Sequence, residues 1–349
     1  DLTVGGAFHQ NGAGASVLGD DLTLDGAGTL QFDTAVTLAG DPNEEIVLTT
    51  AGSAGDDIVL GSTLANTTDQ SLTIDLASLG DPNSTGDVTV SGKVIDLGAG
   101  HLFLDSVGDA TFGGTVTAHD LTLANGSGTT TLSGAVDLAG DLDLATAKLA
   151  VNAEVTAAGT IDLASETTLT LNGVTLTGGG AVSLNDAVTL ATGASTVVST
   201  GGEVTFASTI DGGQALAVDA LAGTVDFGGA VGGSTRLASL DIDAANLTLD
   251  QDLSTGGGSA ATIDLRGVGA VTLGASATLD TEAGNSTDAG SILFGPATTV
   301  DGAHTLTLDA GVTGHAAGNV QLGPVGQGSA LGSLVVRTGG STAGTLSLY

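Results

Sequence analysis

Asp21-Leu22-Thr23-Leu24-Asp25 is the stretch whose reading decides the fold. Successive side chains of an extended chain point to opposite faces, so this run places Leu on one face and Thr and Asp on the other. The same alternation returns at Asp141-Leu142-Asp143-Leu144, at Leu169-Thr170-Leu171 and at Leu306-Thr307-Leu308-Asp309. Each run lasts three to six residues and then meets Gly, Asn-Gly or Asp-Gly, as at Asn125-Gly126, Asn172-Gly173 and Asp301-Gly302. These residues turn the chain because they tolerate positive φ. No window carries a helical period.

Short strands could build a sandwich, a barrel or a solenoid. Three features select the solenoid. The pattern keeps one character over all 349 residues. Matching strands recur about 20 residues apart, as with Leu2 and Leu22, Leu102 and Leu121, and Leu142, Ile161 and Val182, which suits one coil of a parallel β-helix. Aromatic residues make up only 2% of the chain and Trp is absent, as a narrow lumen of stacked aliphatic side chains requires. The expected fold is an all-β parallel β-helix (β-solenoid) spanning 1–349 as a single continuous rod. It would hold about 17 coils of about 20 residues, and at a rise of about 4.8 Å per coil would be roughly 80 Å long.

A longer repeat overlies the coil, clearest at 204–244 and 292–338. Val204-Thr205-Phe206 and then Asp211-Gly212-Gly213-Gln214-Ala215-Leu216 return as Ile292-Leu293-Phe294 and then Asp301-Gly302-Ala303-His304-Thr305-Leu306. Phe227-Gly228-Gly229-Ala230-Val231-Gly232 leading to Leu237-Ala238-Ser239-Leu240 returns as Leu322-Gly323-Pro324-Val325-Gly326 leading to Leu331-Gly332-Ser333-Leu334. The offset is about 90 residues, or four to five coils. Two loops 40 residues apart, Gly40-Asp41-Pro42-Asn43 and Gly80-Asp81-Pro82-Asn83, carry Pro, which cannot donate to a ladder.

The 90-residue block resembles the repeat regions of giant bacterial exoproteins, the filamentous-haemagglutinin-like adhesins. The resemblance is clearest over 204–349 and continues more weakly over 1–203. It implies a right-handed coil, export to the bacterial cell surface, and a role in adhesion or biofilm. The secretion domain of that family carries Asn-Pro-Asn-Leu-type motifs. This chain has only the two Asp-Pro-Asn loops, so that domain is not assigned.

Composition narrows the function classes. Thirty-nine Asp and Glu face five Lys and Arg, a net charge of −34. Phosphate neutralisation needs clustered cations, whereas Lys93, Lys148, Arg236, Arg266 and Arg337 are dispersed. Nucleic acid and anionic membrane surfaces are therefore not expected partners, and no apolar run reaches the roughly 18 residues of a spanning helix. Gly richness and high charge also suit disorder, but the positive mean hydropathy of +0.36 and the ordering of the apolar residues oppose it. Without Cys, disulfide staples and thiolate metal sites are excluded, which fits a bacterial extracellular protein. No leader precedes Asp1, so a signal peptide is expected to be absent or removed. Strand-like residues at both ends lead us to expect further coils of a longer polypeptide, or head-to-tail pairing through open edges.

Candidate sites are sparse. Gly52-Ser53-Ala54-Gly55-Asp56-Asp57-Ile58-Val59-Leu60-Gly61 faintly resembles the Gly/Asp nonapeptide of calcium-binding rolls, with Asp56 and Asp57 as candidate Ca2+ ligands. A roll needs consecutive copies, and the alternative is a turn followed by a strand. The Asp-rich face reads first as a solvated surface that keeps a rod soluble. Weak Ca2+ association that relieves stacked carboxylates is a further expectation. Carboxylate pairs such as Asp141/Asp143 and Asp241/Asp243 raise glycoside chemistry, which needs a cleft and usually aromatic platforms. The chain has one Tyr, Tyr349, and offers Arg236 and Arg266 in separate coils, so no enzyme is expected. His9, His101, His119, His304 and His315 include no pair at a local spacing such as His-x-x-x-His and read as turn or surface residues. Sequons begin at Asn66, Asn83, Asn125, Asn246 and Asn285.

The expected function is a structural extracellular fibre or adhesin stalk. The alternatives are a module binding surface glycans or a host receptor, and a β-helix polysaccharide lyase or hydrolase.

Overall fold

The computed structural model describes residues 1–41, 45–50, 56–76, 86–91, 95–105, 107–282 and 287–349. The Asp-Pro-Asn loops, Lys93, most of the Gly52–Gly55 segment and the sequons at Asn83 and Asn285 fall wholly or partly outside these residues. Among the described residues every regular element is a strand, and the fold is a parallel β-solenoid. The chain divides into two compact units, Asp1–Leu169 and Thr170–Tyr349.

In the first unit, up to Leu138, each described coil contributes three short strands; beyond it the strand Leu142–Val151 runs from one face to the next. Leu22–Leu24, Leu30–Phe32 and Val36–Leu38 form one coil. Their buried residues, Leu22, Leu24, Leu30, Phe32, Val36 and Leu38, are at most 2% exposed. Thr23, Gln31 and Thr37 between them remain half-exposed. The alternation of the opening stretch is thus a lumen side and a solvent side. Every third strand then pairs in parallel register. Leu2 lies over Leu22, Leu30 over Ile58, Val36 over Leu64 and Leu102 over Leu121. Like stacks on like, so each buried Leu or Val covers its counterpart one coil away and contributes about 1.5–3 kcal/mol.

The second unit repeats the plan with its own faces. Val182 pairs with Val204 and Val204 with Val225. Leu216 pairs with Leu240, Leu240 with Ile263, and Ile263 with Ile292. Two long strands, Ser239–Leu249 and Ile263–Leu273, pass from one face to the next without a break and pair along their length, with a register shift between Asp241 and Asp243.

Coil length is not uniform. The step is 19 residues from Leu102 to Leu121 but 30 from Leu72 to Leu102, and 21 from Thr175 to Thr196 but 29 from Ile263 to Ile292. There are accordingly about 15 turns rather than the 17 expected from a constant step. The inward alternation of each face is kept because the lumen must close, while the connections between faces differ in length.

Aromatic residues are few but not peripheral. Phe32, Phe112, Phe206, Phe227 and Phe294 are among the largest fully buried side chains. Phe206 and Phe227 occupy the same register position and their rings stack with centroids 5.4 Å apart. Two glycines 90 residues apart share a backbone conformation. Gly212 and Gly302 hold φ of 128° and 130°, a region L side chains rarely enter. A Cβ would lie 2.2 Å from the Leu190 carbonyl oxygen at Gly212 and 2.5 Å from that of Leu273 at Gly302.

The lumen assignment has a direct test. Leu171 is fully buried, and Leu171→Asp would place an unpaired charge among stacked aliphatic side chains. A cost of about 3–5 kcal/mol is expected, lowering the melting temperature by roughly 10 °C. Hydrogen exchange should show lost protection in the adjoining coils first. Unchanged melting would invert the assignment of inside and outside.

Candidate functional site

The chemistry of this protein is concentrated in its carboxylates, and their placement follows from the coil. Where the chain turns between faces, some backbone N–H groups have no ladder partner and need another acceptor. Asp supplies it from the neighbouring coil. In the first unit the Asp57 carboxylate accepts from the Asp87 N–H (3.1 Å), Asp87 from Asp109 (2.7 Å) and Asp109 from Thr129 (2.6 Å). Along another edge Asp120 accepts from Asp141 and Asp141 from Thr160, both at 2.6 Å. In the second unit Asp211 accepts from Ser234 and Thr235 at 2.8 and 2.9 Å. Its counterpart 90 residues on, Asp301, accepts from Gly328 and Ser329 at 2.8 and 3.1 Å. Much of the acidity is therefore structural: these carboxylates brace successive turns through charge-assisted hydrogen bonds.

Other carboxylates face one another. Partial desolvation, with the charges of Asp162 and Asp141, pushes the Asp143 carboxyl above its usual range. Desolvation and the charges of Asp264 and Asp243 do the same at Asp241, against the pull of Arg266. Asp241 and Asp264 stand opposite each other on successive coils. Arg266 is held by Asp264, its Nε donating at 2.9 and 3.0 Å to the two oxygens. The other two Arg are similarly engaged: Arg236 bonds Asp280 at 2.5 Å and the Thr255 carbonyl at 3.1 Å, and Arg337 bonds Asp309 at 2.9 Å. A shallow groove of about 520 Å3 beside Arg337 is lined by Glu282, Asp309, Val312, Thr313 and Thr338 among others, none aromatic.

Asp56 and Asp57 point to different neighbours. Asp56 is buried and accepts from the Gly28 N–H at 2.6 Å, 28 residues earlier. Asp57 accepts from Asp87, 30 residues later. Each braces a turn on the opposite side of its own coil. Of the sequon asparagines, Asn66 uses its amide on the Gln70 and Leu97 carbonyls (2.7 and 3.1 Å), whereas Asn125 is exposed with φ 56°.

One constellation was not read from the sequence. His101, His119 and Asp120 lie together in the first unit. His101 immediately precedes the strand Leu102–Asp105, and Asp120 immediately precedes Leu121–Ala124. The register Leu102 to Leu121 therefore sets His101 beside Asp120 on successive coils. Nδ1 of His101 is 2.5 Å from Asp120 Oδ2, and Nδ1 of His119 is 3.0 Å from Asp120 Oδ1. The imidazole rings are 4.8 Å apart. Burial raises the Asp120 carboxyl, but the Asp141 N–H and the two imidazoles outweigh it and hold it below its usual range. A search for His at local spacing misses such a group. The signal that finds it is the 19-residue coil step itself.

Comparison with protein-family models, with curated proteins and with solved structures gives no match. The fold and the side-chain geometry are thus the basis for a functional reading.

The opposed carboxylates predict a specific pH dependence. Because the folded state raises the Asp143 carboxyl, ionising it opposes folding; this cost is full above its folded pKa and vanishes below the unfolded value near 3.8. Asp143→Asn should therefore raise the melting temperature by a few degrees at pH 7, since opposed like charges cost about 0.2–1 kcal/mol. The gain should disappear at about pH 3.5. A variant less stable than wild type at pH 7 by thermal circular dichroism would contradict this.

Proposed function

We propose that this chain is a structural segment of an extracellular fibre or adhesin stalk at a bacterial surface, and that it is not an enzyme. The observation that carries the proposal is the bracing of each coil by its neighbours. Strands pair in parallel register on three faces, and Asp carboxylates tie the turns from coil to coil. Stability in such a design is a sum of nearest-neighbour terms, so strength grows with the number of coils and needs no unique core. An element that must hold its form over distance requires this property. The repeat of about 90 residues read from the sequence is consistent with extension by duplication, as in the giant exoproteins that its residues resemble. The same ladder would let a coil of one copy, or of an adjoining stretch of the same chain, add to another.

Single-molecule pulling tests the mechanical role. Coils of 19 to 31 residues should peel in length increments of roughly 60–100 Å, at forces that stay similar along the trace. Collapse of the chain in one event, or turnover of an acidic polysaccharide by the purified protein, would refute the reading.

Association of Ca2+ with the acidic face belongs to the same proposal. Opposed carboxylates such as Asp241 and Asp264 gain from a divalent counter-ion more than from monovalent salt. Millimolar Ca2+ should raise the melting temperature above that in NaCl of equal ionic strength. Identical melting in the two salts would remove calcium from the account.

A further inference from the structure

We propose that His101, His119 and Asp120 bind one divalent transition-metal ion of the zinc class, which clamps two successive coils of the first unit. Two imidazoles and one carboxylate are the donor set of zinc and its neighbours, whereas Ca2+ prefers all-oxygen surroundings. One donor atom from each residue lies within 4.8 Å of the others. Ligands about 2.0 Å from a tetrahedral metal stand about 3.3 Å apart, so small side-chain rotations bring the three donors to that spacing. His101 is exposed, so solvent could complete the coordination there.

One further observation points to a ligand. Nδ1 of His119 is sealed from solvent and makes no hydrogen bond. It stands 3.0 Å from Asp120 Oδ1, off the line a hydrogen bond needs. A buried donor or acceptor left unsatisfied is costly, and a metal would satisfy it. The next coil packs closely over the cluster. At Gly140, a Cβ would lie 2.0 Å from Asp120 Oδ1 and 2.7 Å from His119 Nδ1. The next coil thus presents bare backbone where a side chain would press on the donors.

The backbone fixes the site independently of any ion. The His119 N–H donates to the Gly100 carbonyl at 2.8 Å, and the Gly140 N–H to the His119 carbonyl at 2.7 Å. The Asp141 N–H holds Asp120 Oδ1 at 2.6 Å, which orients the carboxylate with Oδ2 toward His101. Such support around the ligands is what tunes a metal site. Bound metal would link the turn before Leu102 to the turn before Leu121, adding a cross-coil bond to the ladder.

Calorimetric titration of the full chain, stripped with chelator, with ZnCl2 in a large excess of CaCl2 tests this. Calcium occupies diffuse acidic sites and leaves an imidazole site free. One equivalent of Zn2+ should bind, and His119→Gln and His101→Gln should each weaken it at least tenfold, while His304→Gln leaves it unchanged. Histidine NMR of the unsubstituted protein provides a measurement that does not depend on a variant folding. Of five imidazoles, those of His101 and His119 should shift first and saturate together. Non-saturating binding, equal response of all five, or full affinity in both cluster variants would overturn the site.

Discussion

Everything in this structure depends on one constraint: the backbone of each coil must hydrogen-bond in parallel register with the coils on either side. Strands about 4.8 Å apart leave no freedom of register once one face is buried, because a slip of one residue turns every inward side chain outward. The stacking of Leu on Leu and Val on Val follows from that, as does the placing of Phe206 over Phe227. So does the demand for small residues where turns lie against turns. A Cβ at Gly318 would stand 1.7 Å from the Gly290 carbonyl oxygen, and one at Gly344 would stand 1.8 Å from that of Gly318. The glycine column is the cost of stacking turns as closely as strands.

The same constraint gives the acidity a purpose beyond solubility. A β-helix satisfies its strands fully but leaves turn amides pointing along the axis. Asp is short enough to reach one coil away and, being charged, binds those amides strongly. Asp57, Asp87 and Asp109 form such a succession. Where the carboxylate sits on a strand instead, as with Asp143 and Asp241, it meets another carboxylate and is strained electrostatically. Bracing and repulsion thus coexist among the carboxylates.

A solenoid also changes what counts as neighbouring in sequence. In a helix, ligands gather at three- and four-residue spacing; here they gather at one coil step. His101 and Asp120 are 19 residues apart and in contact, while Asp56 and Asp57 are adjacent and serve coils on opposite sides. Reading motifs at local spacing singles out the adjacent pair and passes over the distant one.

The residues by themselves determined the fold class and the inward and outward faces. Alternation and stacking impose a period-two code on every strand, and that code is visible in Asp21–Asp25 as plainly as in the coordinates. The shorter coil steps were legible too, through pairs such as Leu102 and Leu121. What only the tertiary structure decided was the length of each individual coil, from 19 to 31 residues between paired strands, and with it which polar groups meet. Connections carry no repeating apolar signal, so their lengths are set by how the chain closes on itself. Those lengths convert positions far apart in sequence into the Asp braces and the His101, His119 and Asp120 cluster.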